Sequence, residues 1–143
     1  MQSMDDRELV DLALRFAGEV NALQRRYSRL LEERREPEAG GATAVLAGFR
    51  AEMMALYDRW LTRRERSYYT PLSSSPAFAG LEGLTLSTVM RKKNRAVVEL
   101  LTSEGRLDFQ FNFVYKDGEW RINSYKQRCH SERRIYHWTY GDF

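Results

Sequence analysis

Both histidines and the only cysteine of this 143-residue chain fall between Cys129 and His137. His130 and His137 are candidate acid and base, but they stand seven residues apart and no Asp or Glu has the spacing to orient either. With Cys129 they offer three metal-binding side chains, and the nearest acids, Glu132 and Asp142, give no convincing fourth ligand. A neighbouring cation favours a thiolate, so Cys129 beside Arg128 is a candidate reactive thiol, resting on one arginine alone. The same stretch is richer in anchors than in catalysts: Tyr136, Trp138, Tyr140 and Phe143 accompany Arg128, Arg133 and Arg134. Aromatic and arginine side chains dominate protein interfaces, although rings of this kind also cap sheets and arginines are often merely solvated. No GxGxxG, P-loop or GxSxG pattern occurs, and no metal or cofactor is expected.

The elements that must position this stretch are legible from periodicity. Leu9, Leu12, Phe16, Val20, Leu23, Tyr27, Leu30 and Leu31 recur in steps of three and four, which predicts an amphipathic helix over roughly Asp5 to Arg35. Pro37 and the Gly40-Gly41 pair break it. A second helix is expected from Thr43, as N-cap, to Arg63 or Arg64, with the stripe Leu46, Phe49, Met53, Leu56, Tyr57 and Trp60. Residues 67–76 hold two prolines and a serine cluster and read as an irregular crossover.

From there the period becomes two. Leu84 to Met90 and Ala96 to Thr102 form a hairpin around Lys92-Lys93-Asn94. Leu107, Phe109, Phe111, Phe113 and Tyr115 alternate with Asp108, Gln110 and Asn112, giving a strand with one aromatic and one polar face. Asp117-Gly118 then suits a tight turn into a return strand from Trp120 to about Arg128, with Trp120 and Ile122 inward. Gln110, Asn112, Arg121, Asn123 and Tyr125 are read as one polar face, a second candidate binding surface. The expected fold class is α+β: two helices on a curved four-stranded antiparallel meander, one domain over residues 1–143.

Composition narrows the function classes. At 43% hydrophobic residues the chain can build one core unaided, and a lone cysteine permits no internal disulfide, which suits a reducing cytoplasm. The N-terminus is acidic and no apolar run approaches the roughly 20 residues that span a bilayer, so neither export nor membrane anchoring is expected. Lys and Arg number 23 against 20 acids. Residues 50–66 hold five arginines against three acids, and Arg91, Lys92, Lys93 and Arg95 form another basic run. Acids follow closely elsewhere, so a mixed-charge surface is expected and a nucleic-acid partner is not.

Helix, helix, proline-bearing crossover and a sheet ending Phe109-Gln110-Phe111-Asn112-Phe113-Val114-Tyr115-Lys116-Asp117-Gly118-Glu119-Trp120-Arg121-Ile122 resembles the nuclear-transport-factor-2-like, or cystatin-like, cone. Within it the chain resembles bacterial immunity proteins that neutralise polymorphic toxins, including those of Rhs or type VI secretion type. Three passages carry that likeness: Tyr57-Asp58-Arg59-Trp60-Leu61-Thr62-Arg63-Arg64, Leu72-Ser73-Ser74-Ser75-Pro76, and Glu119-Trp120-Arg121-Ile122-Asn123-Ser124-Tyr125-Lys126-Gln127-Arg128. It covers roughly residues 45–130; the first helix fits the fold generally, and the tail after His130 has no counterpart.

The resemblance implies a non-enzymatic protein that occludes a cognate toxin, with Arg121, Tyr125, Arg128, His130, Arg133, Arg134, Tyr136, Trp138 and Tyr140 as candidate partner-binding residues. Homodimerisation through the sheet would be compatible with it. The alternative is a small-molecule-binding or isomerase- or dehydratase-like member of the fold. Such enzymes carry a carboxylate base inside the cone. Here the inward positions of the clearest strand are Leu and Phe, which predicts a packed interior instead.

Overall fold

The computed structural model describes residues 4–33, 41–64, 66, 70–83, 85–102, 107–131, 134–135, 138–141 and 143, of which 130, 131, 134 and 135 are described by their backbones. Helix α1 spans Asp6–Glu33 and α2 spans Gly41–Trp60. Strands β1 (Thr85–Lys92), β2 (Arg95–Thr102), β3 (Leu107–Lys116) and β4 (Glu119–Ser131) pair antiparallel in that order. Two-residue strands β5 (Arg134–Ile135) and β6 (Thr139–Tyr140) both pair with β4. The expected α+β architecture of two helices on an antiparallel meander is the one observed.

A reciprocal capping box starts α1: the Glu8 amide donates to Asp5 Oδ1 at 2.8 Å, and the Asp5 amide reaches Glu8 Oε1 at 3.4 Å. The buried face of α1 is narrower than its apolar periodicity. Leu9, Ala13, Phe16, Ala17 and Val20 are buried, whereas Leu12, Leu23, Tyr27, Leu30 and Leu31 are only half-buried. After Val20 the buried face turns polar, with Asn21 and Gln24 each 1% exposed. Both hold the crossover. Phe78 N donates to Asn21 Oδ1 at 2.9 Å, Ala77 N donates to Gln24 Oε1 at 2.7 Å, and Gln24 Nε2 donates to the Pro71 carbonyl at 2.9 Å. A segment without regular pairing needs such partners before it can be buried. They allow Phe78 to enter the core, fully buried against the rings of Phe16, Phe109, Phe111 and Tyr125.

Helix α2 begins two residues before the expected Thr43 cap and ends at Trp60, short of Arg63. Val45, and not the half-exposed Leu46, starts its buried stripe. Termination comes from the sheet. Leu61 forms a parallel bridge to Ile122 of β4, and the Thr62 amide donates to the Ile122 carbonyl at 2.8 Å. Arg121, next along β4, donates from one guanidinium nitrogen to the carbonyls of Asp58 (2.6 Å), Arg59 (3.2 Å) and Leu61 (3.0 Å), and its Nε pairs with Glu119 at 2.8 Å. The last carbonyls of a helix have no partner of their own, so a cation here satisfies both their geometry and their partial charge. Arg121→Met keeps the aliphatic stem but removes the donor, and urea unfolding should show a loss of about 1.5–3 kcal/mol. A loss under about 0.5 kcal/mol would mean water satisfies the helix end equally well.

The β3–β4 turn has Asp117 at φ 53° and Gly118 at φ 83°, the positive pair that an Asp-Gly hairpin requires. Farther along this hairpin the register shifts: Phe113 faces Ile122, but Asn112 faces Ser124, so Asn123 is an extra residue in β4. A bulge of one residue reverses which side chains face inward beyond it. Tyr125 therefore lies opposite Phe111 inside the core, 4% exposed, and does not share a polar face with Arg121.

The bulged Asn123 is clamped from the segment after α2. Thr62 Oγ1 donates to Asn123 Oδ1 at 2.8 Å, while Arg64 and Arg66 donate to its carbonyl at 3.1 and 3.3 Å. The interior holds packed rings: Phe109, Phe111 and Phe113 are at most 1% exposed, as their alternation predicts. Phe143 adds a further ring, 4.7 Å from Tyr125, 5.4 Å from Phe16 and 5.5 Å from Tyr57 between centroids.

Candidate partner-binding site

Along β4, side chains before and after the bulge serve different surfaces. Arg121 and Asn123 belong to the end where α2 meets the sheet, and Arg121 is committed to the helix carbonyls, so its guanidinium is an internal cap. Lys126 and Arg128 lie beyond the bulge on the outward face, opposite Gln110 and Asp108. Tyr125 leaves the candidate surface for the core.

Two members of the tail form a ladder with those cations. Strand β6 sets Tyr140 opposite Lys126 and Thr139 opposite Gln127. Lys126 Nζ lies 4.8 Å from the Tyr140 ring centroid, and the Arg128 guanidinium lies 4.2 Å from that of Trp138. Spacings of two residues on each strand put both cation–ring pairs on one face. Tyr140 is 72% exposed, while Trp138 is half-buried beneath Arg128. The ladder combines the residue types that anchor protein interfaces.

Arg128 also reaches inward. Its Nε is 3.3 Å from Asp108 Oδ2, and the Thr102 amide donates to Asp108 Oδ1 at 3.1 Å. Asp108 is only 4% exposed although it alternates away from the Phe face. It is a buried acceptor that holds Arg128 and the Thr102 amide. Cys129 is exposed as a free thiol, and the neighbouring Arg128 is directed to Asp108 and Trp138. His130 and Arg134 are placed by their backbones in β4 and β5. Their side chains, together with Arg133, Tyr136 and His137, lie outside the described residues.

At the opposite end of β4 the fold gathers cations that lie far apart in sequence. Arg63 and Arg64 follow α2, Arg95 starts β2 and Lys116 ends β3, and all four line a cleft of about 330 Å³ together with Arg121. A hollow of about 610 Å³ shares Arg63 and Arg64 and adds Arg66. Arg66 is half-buried over the Phe143 ring, 5.7 Å from its centroid, and donates to the Thr62 carbonyl at 3.1 Å. Burial, then the nearby Arg64 charge, pushes its guanidinium below the usual arginine range. The two basic runs were visible separately in the sequence. Their convergence was not, because it depends on α2 stopping at Trp60 and on the β2–β3 register that sets Arg95 beside Val114.

Ion pairs of Arg59 with Glu19 and of Arg26 with Glu52 flank a third groove, between the helices. Arg26 and Tyr27 hydrogen-bond the Glu52 carboxyl and hold it below the usual carboxylate range. The charges of this groove are paired with one another, whereas Arg63, Arg64, Arg95 and Lys116 of the cationic cleft form no ion pair among the described residues. No described helix is long and apolar enough to cross a membrane.

Compared with curated proteins and with solved structures, the chain matches none. The family model described as "NTF2 fold immunity protein" matches residues 14–138. That match extends the sequence likeness at both ends, taking in most of α1 and the tail as far as Trp138. With two helices, a bulged antiparallel sheet and a match over most of its length, the chain belongs to the family of NTF2 fold immunity proteins.

Proposed function

We propose that this chain neutralises a cognate bacterial polymorphic toxin, of Rhs or type VI secretion type, by binding the toxin domain and occluding its active site in the cytoplasm. The observation that carries the reading is membership of the immunity-protein family across residues 14–138. The ladder of Lys126, Arg128, Trp138 and Tyr140 supports it as the contact surface, with Arg133, Arg134, Tyr136 and His130 of the same tail as further candidates. Binding without catalysis fits the interior, where the rings of Phe16, Phe78, Phe111, Tyr125 and Phe143 pack against one another in the space that a substrate would need.

The test is co-expression with the product of the gene immediately upstream. The expected result is a complex that survives size-exclusion chromatography and restored growth of cells making that toxin domain. Trp138→Ala with Tyr140→Ala should weaken the complex by about tenfold or more while leaving the far-ultraviolet circular dichroism unchanged. Failure of the wild-type pair to associate would reject the toxin reading. An unaffected double variant would move the contact off the tail.

A further inference from the structure

We propose that the cationic cleft between the end of α2 and the β3–β4 turn docks an acidic, carboxylate-bearing segment of the partner protein. This deepens the toxin-binding reading and rests on it. Among the described residues, the two adjoining hollows are lined by six cations, Arg63, Arg64, Arg66, Arg95, Lys116 and Arg121, against three acids, Asp58, Asp117 and Glu119. Glu119 is already taken by Arg121, Arg66 and Arg121 are occupied with backbone carbonyls, and Arg64 gives one guanidinium nitrogen to the Asn123 carbonyl. Arg63, Arg64, Arg95 and Lys116 are exposed and, among the described residues, none of them forms an ion pair.

Gathering like charges in a concave site costs self-repulsion and focuses a positive potential outward. At Arg66, burial first and the neighbouring Arg64 charge second disfavour the protonated guanidinium, and the second effect is that repulsion. A carboxylate supplied from outside removes it, and arginine forks match carboxylates in bidentate geometry.

Size and lining favour a protein segment over nucleic acid. A cleft of about 330 Å³ admits a few side chains, and Val114 at its wall and the half-exposed Met54 in the neighbouring hollow offer apolar contact beside the charges. Surfaces that hold nucleic acid present a continuous basic face, with exposed stacking rings for single strands. Here acids interrupt the cations, and Tyr57, the aromatic residue among the described residues of the lining, is buried. The cleft is also continuous with the ladder. Arg121 and Arg128 lie seven residues apart on β4, about 23 Å of strand, so both ends fit within one interface of ordinary size.

The experiment compares wild type, Arg63→Glu with Arg64→Glu, and Arg7→Glu with Arg29→Glu as a charge-matched control on α1. Each is titrated with the upstream-encoded toxin domain, a labelled oligoglutamate peptide and a DNA duplex, at low and moderate salt. The cleft pair should weaken toxin and oligoglutamate binding at least tenfold, mainly through slower association, and flatten the salt dependence, while the control stays near wild type. Thermal melts establish that each variant is folded, and Arg63→Gln with Arg64→Gln should give an intermediate loss. Toxin binding unchanged in the cleft pair overturns the proposal and leaves the immunity reading intact. Tighter binding of DNA than of oligoglutamate, lost in the same variant, overturns it in favour of a nucleic-acid site. Absence of any wild-type toxin complex rejects the immunity reading, and the oligoglutamate titration then decides the cleft alone.

Discussion

Phe78→Ala should cost about 3–5 kcal/mol in equilibrium urea unfolding, the range expected when a fully buried phenylalanine is truncated. Domains of this size have roughly 5–15 kcal/mol in total, so the variant sits close to unfolding at physiological temperature. Phe78 bridges layers. Its ring lies 6.0 Å from Phe16 on α1, 5.2 Å from Phe109 and 5.6 Å from Phe111 on β3, and 5.0 Å from Tyr125 on β4. Removing it leaves a cavity that a helix on one side and a hydrogen-bonded sheet on the other cannot collapse to fill. Phe78→Leu, which keeps most of the volume, should cost less than half as much. A loss below about 1 kcal/mol for alanine would mean that the crossover contributes little to the core.

That importance was not visible in the sequence. Residues 67–76 have no helical or strand period, and the short stretch following them offers no pattern that marks one phenylalanine as central. What buries Phe78 is the pair Asn21 and Gln24, polar residues on an otherwise apolar helix face. A hydrophobicity pattern scores them as interruptions, although each satisfies backbone groups that would otherwise forbid burial. By contrast, the aromatic strand and the Asp117-Gly118 turn were legible, because alternation and positive φ are local properties. The outward side of β1 illustrates the boundary. Leu86 and Met90 alternate as a strand should, yet they are 73% and 53% exposed, since period alone does not say which face meets the helices.

The candidate surface was legible in composition and not in placement. Residue type singles out Arg128, Trp138 and Tyr140, and pairing of β6 with β4 brings Arg128 over the Trp138 ring and Lys126 over the Tyr140 ring. Strict alternation misplaces Tyr125 for a definite reason: a bulge at Asn123 adds one residue, and alternation then errs for every position beyond it. Arg121 was read as an anchor by type, but its geometry makes it a helix cap. Residue chemistry proposes candidates, while register decides which of them face outward.

Gly141→Ala should detach the segment that carries the ladder. Gly141 approaches Tyr125 so closely that a Cβ built there would overlap the ring, and its amide donates to the Tyr125 carbonyl at 2.9 Å. Tyr125 cannot yield easily, because its ring is stacked on Phe111 and 4% exposed. The cheaper response is for residues 138–143 to leave, which also withdraws Phe143 from Phe16, Tyr57 and Tyr125. Three aromatic pairs at ~0.5–1.5 kcal/mol each put the expected loss at about 1.5–4.5 kcal/mol. Phe143→Ala should cost a similar amount through the same release. If one event underlies both, the double variant should cost little more than either single change, and additive losses would reject the shared mechanism. Hydrogen exchange at the Gly141 amide should accelerate in both variants while the paired amides of β3 keep their protection. Because release disperses Trp138 and Tyr140 without touching either, Gly141→Ala should weaken the toxin complex about as much as Trp138→Ala with Tyr140→Ala. A variant that exchanges rapidly at Gly141 yet binds with wild-type affinity would place the contact surface elsewhere on the sheet.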